Sequence, residues 1–148
     1  MATLTVTVTE ALTLNNTEQG GTVTQSISGI NDTLKRIISV PTSEVNLYAA
    51  HDTNVAGNTF DDDNIKYVRI SNLDSTNFVS LRVSNADNDE FVYKLAAGES
   101  LLLYGHNATM NASQAAALTI GTGEVSITDI GAKADTAVVD VEVFIASV

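Results

Sequence analysis

The chain contains no cysteine, no tryptophan and one proline, and its 7 Lys+Arg stand against 18 Asp+Glu. Each shortage excludes something. Without cysteine there are no disulfide staples, no thiolate chemistry and no cysteine-based zinc site. Aromatic residues make up 5% of the chain, so its core must be built from Val, Ile, Leu and Ala. Platforms for stacking bases or sugars are correspondingly scarce. A formal net charge of −11 repels phosphate backbones and anionic lipid surfaces. Nucleic acid and membrane are therefore not expected partners, and the charge is read first as a source of solubility. No run approaches the roughly 20 apolar residues of a membrane helix. Met1-Ala2-Thr3-Leu4 offers neither a basic nor an apolar leader region, so no signal peptide is expected and synthesis in a reducing cytoplasm fits. The sequons at Asn15, Asn31, Asn107 and Asn111 are then read as Asn-rich turns.

What the chain has instead is apolar–polar alternation at period two. Leu4, Val6, Val8, Leu12 and Leu14 share one parity near the start, and Ala137, Val139, Val141, Val143 and Ile145 share one near the end. Successive side chains of a strand point to opposite faces, so this period predicts half-buried antiparallel strands. Strand candidates run over Thr3 to Leu14 (interrupted near Glu10), Thr22 to Ser28, Leu34 to Val40, Glu44 to Ala50, Ile65 to Ser71 and Phe78 to Ser84. Further candidates are Glu90 to Leu95, Glu99 to Tyr104, Leu118 to Ile130 and Thr136 to Val148. Apolar residues on both parities suggest that Leu34 to Val40 is a central strand, ended by Pro41. Close spacing from Ile65 to Leu95, with Asn and Gly at the corners, suggests a meander. Residues 51–64 and 105–117 read as long surface loops. Ala112 to Leu118 has helical propensity for one turn at most. The fold class expected is all-β, an antiparallel β-sandwich resembling a jelly roll, as a single domain over residues 1–148.

Candidate chemistry is sparse. Asp61, Asp62 and Asp63 offer oxygen ligands for calcium but lack the spacing and closing Glu of a helix–loop–helix site, so a solvated acidic loop is the preferred reading. Asp87, Asp89 and Glu90 form a second acidic turn, weighed the same way. His51 and His106 are the only histidines. His51 stands beside Asp52, as a base and its orienting carboxylate would, but no nucleophile motif accompanies either histidine. Nothing selects a glycosidase-like carboxylate pair. Gly121-Thr122-Gly123 lacks the rest of a phosphate-binding loop and reads as a bend. No catalytic residue, cofactor or resident metal is expected. Lys35, Arg36, Arg69 and Arg82 are the candidate partner-interface residues, since Arg in particular anchors interfaces; their alternative role is cross-strand charge pairing.

Three runs carry a family resemblance. They are Lys66-Tyr67-Val68-Arg69-Ile70-Ser71-Asn72-Leu73-Asp74, then Val79-Ser80-Leu81-Arg82-Val83, then Lys94-Leu95-Ala96-Ala97-Gly98-Glu99-Ser100-Leu101-Leu102-Leu103. Together with the Thr-rich start and Val-rich last strand, they resemble small virion proteins of tailed, especially marine, bacteriophages. The motif covers about residues 65–104 and brings no catalytic residues. The resemblance implies a capsid decoration or cement protein on the outer face of the virion shell. It would be made in the host cytoplasm, bind the major capsid protein and copies of itself, and form a homo-oligomer such as a trimer. A tail, adaptor or fibre component is the second expectation. A glycan- or ligand-binding module using loops 51–64 and 105–117 is the third.

Overall fold

A computed structural model describes residues 1–51, 60–85, 89–105 and 127–148, with the backbone alone for His51. In chain order the strands are β1 (Ala2–Glu10), β2 (Thr13–Leu14), β3 (Thr17–Glu18), β4 (Gly21–Ile30), β5 (Asp32–Val40) and β6 (Val45–His51). There follow β7 (Phe60–Asp61), a 3₁₀ turn at Asp62–Asn64, β8 (Ile65–Asn72), β9 (Val79–Asn85), β10 (Glu90–Leu95), β11 (Ser100–Leu103), β12 (Ile127–Ala134) and β13 (Val139–Ser147).

Residues 2–30 form one long β-hairpin. β1 pairs β4 and β2 pairs β3, from Thr3↔Ser28 through Val8↔Val23 to Leu14↔Thr17, with no slip of register beyond Thr3. Asn15 and Asn16 turn the chain with φ of 50° and 61°, the left-handed pair that a two-residue hairpin loop requires. The Thr face of the ribbon is zipped by hydroxyl contacts, Thr7 to Thr24 at 3.3 Å and Thr9 to Thr22 at 3.2 Å.

From β5 onward the chain builds a sandwich. One sheet has the order β10-β9-β12-β6-β7 and the other β11-β8-β13-β5. If β5, β6, β8, β9, β10, β11, β12 and β13 are counted one to eight, the sheets read 1-8-3-6 and 2-7-4-5, the strand order of a jelly roll. Strand β7 adds a short parallel partner beside β6. The expected all-β sandwich is therefore the observed architecture. Its core is aliphatic: Leu47, Ile70, Leu81, Leu95, Ile130 and Val141 are each 0% exposed. At about 25 cal/mol per Å² of apolar surface removed from water, these facing sheets dominate the stability.

Three details differ from the sequence expectation. The expected meander holds only for β9 and β10, which pair; β8 and β9 lie in opposite sheets, as do β10 and β11. The polar turns are corners between layers, and Asn72 ties two of them together. Its side-chain amide donates to Asn77 O at 2.9 Å and Leu95 O at 3.2 Å, and its Oδ1 accepts from Asp74 N at 2.9 Å. The Asn72 backbone N–H donates across to Glu99 O at 2.9 Å. Asp74 caps the corner by accepting from Thr76 N and Asn77 N, bonds that hold its carboxyl below the ordinary range. Gly98 (φ 75°) supplies the left-handed residue of the second corner.

Second, β5 is an edge strand and not a central one: it pairs β13 on one side at the end of its sheet, and its second apolar parity faces water, where Ile37 is 59% exposed. Third, the helical turn expected over 112–118 lies outside the described residues.

Candidate partner-binding surface

Among the described residues the hairpin of β1–β4 packs on the sandwich at its base. Leu4, Val6 and Ile27 pack over Tyr67, Leu102, Phe144 and Ala146 on the outer face of the four-stranded sheet. Tyr67 sits edge-on to Tyr104 and Phe144, with ring centroids 5.4 and 6.1 Å away. Beyond this base the hairpin is a free arm. Val23 is 68% exposed, Leu12 54% and Leu14 56%. The alternation at Leu4, Val6, Val8, Leu12 and Leu14 thus predicts a buried face, but burial stops partway along it. Among the described residues no second sheet lies over the tip, where Leu12, Leu14 and Val23 stay exposed.

The same sheet carries a polar ladder beside the arm. Glu142 on β13 bridges Lys35 on β5, at 3.2 Å, and Arg69 on β8, at 2.5 Å. Arg69 also donates to Ser71 Oγ at 2.7 Å, and Ser71 and Ser100 share a 2.7 Å hydroxyl contact. The glutamate is covered on most sides, with 16% of its side chain exposed. The Arg69 guanidinium, with Lys35 second, holds its carboxyl below the ordinary glutamate range.

The four cations read as interface candidates fall in three places. Lys35 and Arg69 meet through Glu142 on the outer face of the four-stranded sheet. Arg82 lies on the outer face of the other sheet, bound to Glu44 at 2.5 Å and Glu90 at 3.0 Å. Those carboxylates, Glu90 first, raise its pKa further. Gly131 makes this pairing possible, since a Cβ there would stand 2.4 Å from Glu44 Oε1. Arg36 turns toward the open edge between the sheets and donates to Leu47 O at 2.9 Å. It lines a cleft of about 500 Å³ with Asn46, Tyr48, Phe60 and Ile145.

The acidic run is local. Asp61 caps the 3₁₀ turn by accepting from Asp63 N, and Asp62 also accepts from that N–H. One carboxylate oxygen from each of Asp61, Asp62 and Asp63 lies within 4.8 Å of the others. Asp62 is buried. Tyr48 is buried too, and burial, with the charges of Asp62 and Asp129, drives its phenol far above the ordinary range. The His51 side chain, His106, Asp87 and the segments 52–59 and 106–126 lie outside the described residues. So does most of each long loop.

Sequence reasoning missed that the first strands form a projecting arm. One signal was present: Glu10 and Glu18 are the only charged side chains in residues 1–30. Among the described residues no helix is long and apolar enough to cross a membrane. No family model, curated protein or solved structure matches the chain.

Proposed function

We propose that this protein is a non-enzymatic structural component of a virion, acting as a decoration or cement protein on the outer face of a tailed-phage capsid. Its partners in this reading are the major capsid protein and copies of itself. The observation that carries the reading is a jelly roll holding out a hairpin with only two charged side chains, whose Leu12, Leu14 and Val23 are exposed. A cement protein must reach across seams between shell subunits, and an extended ribbon reaches further per residue than any compact element. Jelly rolls are a recurrent capsid architecture, which is support by analogy of fold. The residues that carry the family resemblance, 65–104, build the interlayer corners around Asn72, so the resemblance belongs to the frame and not to a reactive site. An acidic body sits better outside the shell than against packaged DNA.

A tail or adaptor component is the second reading, favoured by the same arm, which would span neighbouring subunits of a ring. Co-sedimentation of the purified protein with assembled shells separates the two. Saturable binding at a fixed ratio per capsid subunit is the expected result. No shell binding, with recovery on a tail assembly instead, overturns the first reading in favour of the second.

A further inference from the structure

Strand β10 ends the five-stranded sheet, with β9 as its one partner among the described residues. Two bonds fix which of its backbone groups face outward. Asn85 N donates to Asp89 O at 3.1 Å, one step along the ladder of β9 and β10. Asp135 N donates to Phe78 O at 3.2 Å, one step along the ladder of β9 and β12. Antiparallel strands exchange bonds at every second pair. Odd-numbered residues of β9 therefore bond β10, and even-numbered ones bond β12. Phe91 and Tyr93, opposite Val83 and Leu81, turn their backbone inward to β9. Glu90, Val92 and Lys94, opposite Ser84, Arg82 and Ser80, turn theirs outward. Their N–H and C=O groups meet no backbone partner among the described residues.

The side chains of this edge are open as well. Val92 is 64% exposed. Phe91 and Tyr93 are 41% and 42% exposed, although they share a face with Leu81 and Val83, each 0% exposed in the core. Such an edge is a template for another strand.

The order of side chains along β10 selects that strand. Outward from Val92 the chain meets an aromatic and then a charge in both directions, Phe91 and Glu90 on one side, Tyr93 and Lys94 on the other. A second copy laid antiparallel, Val92 against Val92, sets Glu90 opposite the copy's Lys94 twice and Phe91 opposite the copy's Tyr93 twice. Every outward backbone group of residues 90, 92 and 94 then finds a mate. Registers that centre on Glu90 or on Lys94 set like charges opposite each other, which is destabilising. Registers between these leave a charge opposite Val92. In the favoured one the aromatic pairs fall at positions without hydrogen bonds, where side chains approach most closely, and they continue the core across the seam. Glu90 is held by Arg82 at 3.0 Å and Lys94 lies 4.3 Å over the Phe78 ring, so both charges stand on the outer face of the sheet.

We infer that the β10 edge is a self-association surface: two copies join their five-stranded sheets antiparallel about a two-fold axis at Val92. This gives the self-association in the reading above a location and rests on that part alone. It is tested first on the free protein without shells, so its failure is distinct from a failure of capsid binding.

The test pairs native mass with charge exchange and cross-linking. Wild type is expected to sediment as a dimer at micromolar concentration. Val92→Pro should give a monomer with its far-ultraviolet spectrum retained, because an edge strand tolerates proline where the N–H faces outward. Glu90→Lys and Lys94→Glu each set like charges opposite at both pairs, and each should weaken its own dimer about tenfold. An equimolar mixture of these two variants should recover a dimer, since it restores opposite charges at both pairs. The chain has no cysteine, so Val92→Cys should form an intermolecular disulfide under mild oxidation, while Ile37→Cys on the exposed edge strand β5 should not. A monomeric wild type overturns the inference, and if Val92→Pro then loses shell binding the edge belongs to a foreign strand. A dimer that survives Val92→Pro, or one that cross-links through Ile37→Cys instead, also overturns it. Weakened single variants that fail to recover on mixing overturn the Val92-centred register.

Discussion

Replacing Asn72 by Ala tests whether the interlayer corners are held by one side chain. Asn72 is 2% exposed, and its amide donates to Asn77 O and Leu95 O while its Oδ1 accepts from Asp74 N. The substitution removes three hydrogen bonds, each worth about 1 kcal/mol net. It also strands polar groups where water enters poorly, above all Leu95 O, whose bond to Asn72 is buried. Unpaired buried groups cost about 1–3 kcal/mol each. Counting about 1 kcal/mol for each of the two part-buried bonds and about 1–2 kcal/mol for stranding Leu95 O, the expected loss is about 3–4 kcal/mol. For a domain of this size 1 kcal/mol moves Tm by roughly 2–4 °C, so Tm should fall by about 10 °C. Urea unfolding should show a lower midpoint at unchanged slope, since the same surface is exposed. Asn72→Asp sharpens the test. It keeps the acceptor for Asp74 N but aims a carboxylate at two carbonyl oxygens. Its folded-state pKa is then raised, so the destabilisation is full at neutral pH and is relieved as pH falls and the group protonates. An Asn72→Ala protein melting within about 1 °C of wild type would refute the argument, because three bonds of ordinary strength would then contribute nothing.

Other outcomes follow from the same geometry. Gly131→Ala places a methyl 2.4 Å from Glu44 Oε1 and should push that carboxylate off Arg82. The pair is exposed, so the expected loss is small and should shrink in high salt, read by denaturant unfolding at two ionic strengths. Glu142 and Asp74 both have lowered carboxyl pKa values, Glu142 through Arg69 first and Asp74 through Asn77 N first. Their contributions are present above the ordinary carboxylate range and are lost as pH falls through the depressed folded values. Tm against pH should therefore drop in acid, and Glu142→Gln should flatten part of that drop. The Tyr48 phenol, raised by burial first and then by Asp62 and Asp129, should stay protonated beyond the ordinary value of about 10. Ultraviolet titration should show one tyrosine silent until the fold opens. Stability should decline above that pH, where only the unfolded state ionises.

Particular residues show how much was legible from sequence. Asn15-Asn16, Pro41 and Ala96-Ala97-Gly98 mark real ends of strands, because turn chemistry is local: a left-handed φ or a missing N–H acts within its own few residues. The aliphatic core follows from composition. Which turns join neighbours in one sheet and which cross between layers was not legible. Asn72-Leu73-Asp74 reads like any polar hairpin loop, and its role as a corner depends on Leu95 and Glu99, far along the chain. The pairing of Lys35 and Arg69 through Glu142 was hidden for the same reason. The sequence named both cations but could not show that β13 would run between β5 and β8.

Alternation determined that this chain is made of strands and which side chains share a face, and local turn residues determined where many of them end. Composition alone determined that the first thirty residues hold two charged side chains, Glu10 and Glu18. Only the tertiary structure decided which faces are dry. Val141 and Val143 on β13 and Val8 and Val23 on the arm belong to the same period-two pattern, yet Val141 and Val143 are 0% exposed while Val23 is 68% exposed. The reason is physical: a strand's own period specifies an apolar side, but burial requires a second layer opposite it. The β12-containing sheet supplies that layer to β13, and nothing within the described chain supplies it to the arm.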